Sequence, residues 1–567
     1  MAFLEQSQHS HRRLGLRALL DQLRANPGAV GKLVDPEVAW RTLADAEQRD
    51  PGALADILLY PAVGVWLTRA LHYTRPASTG PWRELGYLNN VAAAAAVRCG
   101  VPCVIRVPVW HGAVSLPTVG HVRLPGTFPI GSVEVHSAGR ESRIQVGTAM
   151  SIPLDGTNTA FAAACEHTCT SHGHTLRARL DDQDPYHGFG EPRPPADLAD
   201  SDAAEWRKVL DEAWDVLALN HPAYAQELAA GLRGLVPIEP DTDTVGASSP
   251  AAFGGIRLSA NGSATEFAEA MVHEMQHSKL NALLGLVQLT QDDNVRRHLA
   301  PWRDDPRPLI GVVHGIYAFT CGVEFWVRHG VLADGTETRR IDFDIAYRRL
   351  QVRRAVHTLT SSDRLTPAGM ALVDAVSKRL TRCEQAPVDP ALSHIVTTLV
   401  DDHRALWRLR HARPDTETVA ALTAAWLDGA APPSDLPWQS HIVAEDERRL
   451  PANRRNLLRA KAIEPETFAA LARRPASLSG TTPRADAALC TGDAENAAQD
   501  YRERLRIDPD DTQAWAGLGL ALRAQGRAAR ALLEHPEVTV AVHRRVRALD
   551  DRAPDPAALS TWLSAAL

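Results

Sequence analysis

Apolar positions in the first hundred residues recur at three- and four-residue spacing, as in LGLRALLDQLRA (14–25), which predicts helices. DILLYPAVGVWLTRALHY (56–73) is apolar enough to be buried, and Pro61 marks a break or a helix start within it. From about 100 to 195 the pattern shortens. CVIRVPVW, GSVEVHS and SRIQVG alternate with Gly and Pro turns, the texture of antiparallel strands. Helical periodicity returns at SDAAEWRKVLDEAWDVLALNH (201–221), with Ser201 and Asp202 as expected caps. AAFGGIRLS (251–259) reads as a short strand with Ile256 and Leu258 on one face. Ser263, followed three residues later by Glu266, opens a helix expected to run to about residue 289. Residues 310–430 are again helical, LDGAAPPSDLPW (427–438) is a linker by composition, and the tail is helical apart from RPASLSGTTPRAD.

The expected fold is mainly α with a β-rich insertion (α+β), a zincin-like metal helix packed in a helical multi-domain chain. Its expected divisions are an N-terminal helical region (1–98), a β-rich region (99–199), a helical metal-site domain (200–430) and a C-terminal helical domain (431–567). Within the last, DYRERLRIDPDDTQAWAGLGLALRAQG (500–526) resembles one tetratricopeptide hairpin through Tyr501, Pro509, Trp515, Leu518, Gly519 and Ala521. One repeat cannot bury both its faces, so a packed helical cap is expected ahead of a peptide-binding solenoid.

Composition narrows the class. The 567 residues are 45% hydrophobic and 23% charged, as in a globular protein, and their length exceeds one ordinary core. A net charge of −7 gives no global attraction to nucleic acid or anionic membrane. Seven cysteines, an odd number scattered through a long chain, suit a reducing compartment without a disulfide framework. The opening segment has no export signature, and the alanine-rich stretch carrying Arg98 and Arg106 reads as a buried helix followed by a strand, so a cytoplasmic protein is expected.

The candidate chemistry lies in EFAEAMVHEMQHSKLNALL (266–284). Residues four apart on a helix share a face, so His273 and His277 aim two imidazoles at one point, with Glu274 one step round. In zinc proteases a glutamate in that position activates metal-bound water. Leu280 and Leu283 stand where the metzincin extension needs Gly and His, which excludes that family. A third ligand is sought in PWRDDPRPLIGVVHGIYAFTCGVEFW (301–326). His314 and Glu324 are ten residues apart, about 15 Å along a helix, so only one of them can bind the same ion. His314 is favoured because Gly311 and Gly315 permit close approach of a facing helix. Glu324 and Asp304 or Asp305 remain as alternatives.

ILLYPAVGVWL, MVHEMQHSKLNALL, PWRDDPRPL and VVHGIYAF, in that order over residues of about 15 to 430, resemble a family of His-Glu-x-x-His peptide-modification proteins from actinobacterial natural-product (RiPP) gene clusters. The resemblance implies an iron(II)- and 2-oxoglutarate-dependent oxygenase, Fe(II) being held by His273, His277 and His314, that hydroxylates a β-carbon of a ribosomally made precursor peptide. Such an enzyme needs a cation for the far carboxylate of the 2-oxo acid, and Arg307 and then Arg303 are the candidates. A zinc metallopeptidase with Glu274 as base, and Tyr317 or a nearby His steadying the oxyanion, is the alternative. A non-catalytic peptide-binding scaffold is the third reading.

Two other stretches stand out. CEHTCTSHGH (165–174) packs two Cys and three His together, but its spacing fits no zinc template, so buried thiols are expected there. RLDDQDPYHGF (179–189) is expected as a capped turn, with peptide or calcium contact as the alternative. No Walker loop, Gly-x-Ser-x-Gly elbow or Gly-x-Gly-x-x-Gly stretch is present.

Overall fold

A computed structural model describes residues 1–26, 33, 35–73, 82–125, 131–139, 141–148, 150–196, 198–238, 245–260, 262–291, 295–331, 335–383, 388–444, 449–550 and 553–567. These form two compact units, Met1–Val287 and Gln288–Leu567. Both are rich in helix, and several small sheets complete a mixed α+β chain.

The first unit begins with the helices Ala2–Ala25, Pro36–Arg49, Pro51–Leu58, Pro61–Tyr73 and Trp82–Cys99. Proline supplies the first residue of three of them, where its missing N–H costs no hydrogen bond. Asp35 and Asp50 cap two of those starts by accepting from the backbone N–H of Glu37 and Ala53. Pro61 is thus a helix start. In Trp82–Cys99 the run Ala92–Ala96 is fully buried, and its small side chains let the strand Cys103–Pro108 pack directly on the helix. That strand opens a four-stranded antiparallel sheet with Ser132–Ala138, Glu141–Val146 and Met150–Pro153. Its register aligns Ile105, Val135, Ile144 and Ile152 in one row, and all four are buried.

Those strands and the N-terminal helices share one core, in which Leu19, Trp66 and Val91 pack together with Val107, Val135 and Ile152. The change of texture near residue 99 therefore marks a change of secondary structure within a single core. The unit boundary falls inside the 200–430 segment that the sequence suggests as one domain.

A second sheet, in the order Gly246–Ala247, Gly255–Leu258, Gly234–Pro237, His174–Leu180 and Glu166–Ser171, mixes parallel and antiparallel pairs. Its central strand Gly234–Pro237 runs parallel to both neighbours. The helices Asp200–Asn220 and Ala264–Leu284 pack on one another, each also against a strand of this sheet. Asp200–Asn220 starts after Ala199 without a side-chain cap, so Ser201 and Asp202 lie in its first turn rather than at its cap. The entry is fixed instead by Asp182, whose Oδ2 accepts from the N–H of Leu198 at 2.8 Å.

RLDDQDPYHGF forms a buried, capped turn. Asp184 accepts from the Tyr186 N–H at 2.9 Å, from Ser115 Oγ at 3.0 Å and from the Tyr87 hydroxyl, while Asp181 accepts from the Tyr60 hydroxyl. A cavity of about 210 Å³ borders this cluster and touches no residue of the motif helix. Burial, together with the charge of Asp181, pushes the Asp184 carboxyl up to about 7. A raised carboxyl contributes stability that is complete below the unfolded value near 4 and is lost as pH rises through about 7. Unfolding midpoints measured from pH 4 to 8 should therefore fall more steeply for the natural chain than for Asp184→Asn, the difference amounting to a few kcal/mol. Parallel slopes would refute this.

In the second unit lies Leu309–Gly330, the one single helix among the described residues long and apolar enough to cross a membrane. Its Val312, Ile316, Val323 and Phe325 are fully buried against the helices Gly335–Thr360 and Pro367–Cys383, the packing of a core helix. The tetratricopeptide-like hairpin consists of Ala494–Ile507 and Thr512–Ala524. Gly517 leaves room for the Tyr501 ring, which a Cβ there would meet at 2.3 Å, and Gly519 does the same for Leu532. Pro483–Thr491 covers one side of the hairpin, and Arg530–Glu534 and Pro390–His411 cover the other. The hairpin is therefore internal packing within this unit, not an open solenoid groove. Beneath it, the buried Arg454 guanidinium binds Asp402 at 2.7 Å and Asp486 at 2.8 Å, and Asp486 also accepts from the Tyr501 hydroxyl at 2.7 Å.

Candidate metal-binding helix

The helix Ala264–Leu284 begins with a complete capping box: Ser263 Oγ accepts from the Glu266 N–H, and the Glu266 carboxylate accepts from the Ser263 N–H. It ends at Leu284 with Gly285 as its C-terminal cap, short of the expected residue 289. Phe267, Met271, Met275 and Ala282 form one buried face, and Leu280, which follows His273 and His277 on theirs, is buried as well. Ser278 Oγ accepts from the Gly254 N–H at 3.0 Å, Gln276 Nε2 donates to Glu227 at 3.2 Å, and Lys279 pairs with Glu227. These ties fix the rotation of the helix about its axis, and with it the direction in which the remaining face points.

That face carries His273 and His277, both half-buried. Their rings converge, with centroids 4.8 Å apart, interplanar angle 81° and Nε2 atoms 3.2 Å apart. Two imidazole donors about 2.0–2.1 Å from one ion and about 90–109° apart would have their nitrogens roughly 2.8–3.4 Å apart. The pair thus has the spacing of two adjacent ligands of one metal ion. At this distance the two nitrogens can also share a proton, which a bound metal ion would replace.

Glu274 is buried beneath the strand Gly246–Ala247. A Cβ built on Gly246 would come within 2.8 Å of Glu274 Cγ and Oε1, so glycine is what allows the strand to cross over this carboxyl. Burial pushes Glu274 up to about 7, against the downward pull of a hydrogen bond from Ser248. Neither Gly246 nor Ser248 stands out in the sequence, because no motif links them to a helix that starts later in the chain.

The strand containing Ile256, Gly255–Leu258, is paired on both sides, parallel to Gly234–Pro237 and antiparallel to Gly246–Ala247. It is therefore not available to pair with an extended peptide. Among the described residues, Gly246–Ala247 is the edge of the sheet beside the motif helix.

The remaining sequence candidates lie in the second unit. His314 is in the second turn of Leu309–Gly330, where burial and the charge of Arg307 lower its imidazole to about 4 and keep it neutral. Gly311 and Gly315 do not receive a facing helix: a Cβ at Gly315 would strike the Trp302 indole at 1.9 Å, and one at Gly311 would meet Arg307 at 3.3 Å. Arg303 and Arg307 come together on Asp305, at 2.8 and 3.3 Å, with Arg296 as its third partner. Asp304 accepts from the Leu450 N–H at 3.0 Å and lies 3.2 Å from His403. Glu324 holds Arg379 with both carboxylate oxygens. The three carboxylates considered as alternatives to His314 thus have structural partners inside their own unit. Tyr317 is largely buried, which raises its hydroxyl to about 12.

All seven cysteines are free thiols. Compared with family models and with curated proteins, the chain matches none.

Proposed function

We propose that the chain is an iron(II)- and 2-oxoglutarate-dependent oxygenase that hydroxylates a β-carbon in a ribosomal precursor peptide. The observation that carries this reading is the 3.2 Å approach of the His273 and His277 Nε2 atoms on a rotationally fixed helix. The choice of oxygenase over other metal enzymes comes from the four ordered sequence blocks. Iron(II), if bound there, would let dioxygen act as the oxidant, one oxygen atom going to the peptide carbon and the other to the 2-oxo acid, which leaves as succinate and carbon dioxide. The residues of the chain would supply position: His273 and His277 present adjacent donors, and the partly buried edge strand Gly246–Ala247 is where an extended peptide would add by strand pairing. The third-ligand role of His314 and the carboxylate-binding roles of Arg307 and Arg303 rest on the sequence pattern. His314→Ala is expected to lower iron affinity, and Arg307→Ala to raise the 2-oxoglutarate requirement.

One observation favours a second reading, a zinc metallopeptidase. Glu274 is buried, adjacent to the histidine pair and raised to about 7, the range suited to a general base. Glu274→Gln separates the two. In the oxygenase this variant keeps its metal and retains hydroxylation within about tenfold, because no water need be deprotonated there. In a peptidase the same variant keeps its metal but loses cleavage by about a hundredfold or more. The products are read by mass spectrometry of the peptide, with succinate measured in parallel.

A further inference from the structure

The strand Glu166–Ser171 ends the five-stranded sheet and lies against the helix Asp200–Asn220. Side chains two apart on a strand share a face, so His167 and Cys169 point the same way. Asp211 approaches them from the helix: its Oδ1 is 2.8 Å from His167 Nε2, and the ligand atoms of all three residues lie within 4.8 Å of one another. We propose that His167, Cys169 and Asp211 form a zinc site separate from the His273–His277 pair.

The donor set identifies the metal. One sulfur, one imidazole nitrogen and one carboxylate oxygen suit zinc, whereas magnesium and calcium take oxygen donors. Tetrahedral zinc with bonds of about 2.0–2.3 Å places its ligands roughly 3.3–3.8 Å apart, so closing the site takes shifts of about an ångström or less. Cys169 is only 2% exposed and belongs to a rigid strand, while the exposed Asp211 has freedom to turn onto an ion. Asp215, one helical turn further along, adds a second negative charge that acts on the same thiol. On binding, the Cys169 thiol becomes a thiolate and its proton passes to solvent.

Spacing within CEHTCTSHGH hid this site, because the third donor comes from a distant helix. Of the other members of that stretch, Cys165 Sγ accepts from Arg207 at 3.4 Å, while His172 lies in the hairpin turn with φ 45° and His174 opens the next strand opposite Ser171. Zinc here would join the sheet edge to the helix Asp200–Asn220. That helix in turn supports the motif helix through Trp206 and Phe267, whose ring centroids are 5.9 Å apart.

The test uses the full chain carrying His273→Ala and His277→Ala, stripped with a chelator and titrated with cobalt(II). One equivalent should bind with thiolate-to-cobalt charge-transfer absorption, zinc should displace it, and the melting temperature should rise with zinc. Cys169→Ala should remove both the absorption and the zinc-dependent rise. Asp211→Asn, at an exposed position, should weaken binding by at least about tenfold. Absence of the thiolate band in the parent chain, or its survival in Cys169→Ala, overturns the proposal. If circular dichroism shows Cys169→Ala to be unfolded, His167→Asn and Asp211→Asn decide the matter, and unchanged cobalt affinity in both overturns it.

Discussion

Replacing both His273 and His277 with alanine is expected to reduce metal-dependent product formation to background while leaving the fold intact. The two rings converge on one point, and no other imidazole lies on that helix, so nothing on it can substitute. Each single replacement should weaken metal binding by more than the ten- to hundredfold typical of residues that only orient a ligand. The buried face of Phe267, Met271, Met275 and Ala282 and the capping box are untouched, so a stability change of about 1 kcal/mol or less is expected. Metal content by mass spectrometry and far-ultraviolet circular dichroism of the same preparations provide the check. A double variant that retains stoichiometric metal outside the His167–Cys169–Asp211 cluster would show that the pair is not a ligand set.

The second large effect concerns stability. Arg454→Met in the second unit leaves the carboxylates of Asp402 and Asp486, 4% and 1% exposed, without the cation that compensates their burial. Losing one partner of a buried ion network costs about 3–5 kcal/mol, because the charge left behind is neither solvated nor paired. Tyr501 and Thr482 still donate to Asp486, so part of its requirement remains met. The urea midpoint for the second unit should fall accordingly. Adding Asp402→Asn and Asp486→Asn to Arg454→Met should recover part of the loss by removing the stranded charges. A loss below about 1 kcal/mol for Arg454→Met alone would mean that water reaches this network.

Local signals were readable in the sequence and long-range pairing was not. The capping box at Ser263 and Glu266, the helix start at Pro61 and the tetratricopeptide-like hairpin each depend on residues within a few positions of one another. The convergence of His273 and His277 is legible for the same reason, since helix geometry alone brings them together. The shared core of the N-terminal helices and the β-rich segment was not legible, because it depends on contacts such as Trp66 and Val91 with strands far along the chain. The same limit hid the strand Gly246–Ala247 over Glu274 and the approach of Asp211 to Cys169. The glycines beside His314 were misread for a related reason: Gly315 makes room, but for the indole of Trp302 instead of a helix.

The most direct measurement is the product balance when the iron(II)-loaded full chain meets 2-oxoglutarate, dioxygen and a candidate precursor peptide. The oxygenase account requires a peptide heavier by one oxygen atom, formed in step with succinate and absent when 2-oxoglutarate is omitted. Two shorter peptides that together account for the substrate plus water, formed while 2-oxoglutarate is left unconsumed, would contradict it.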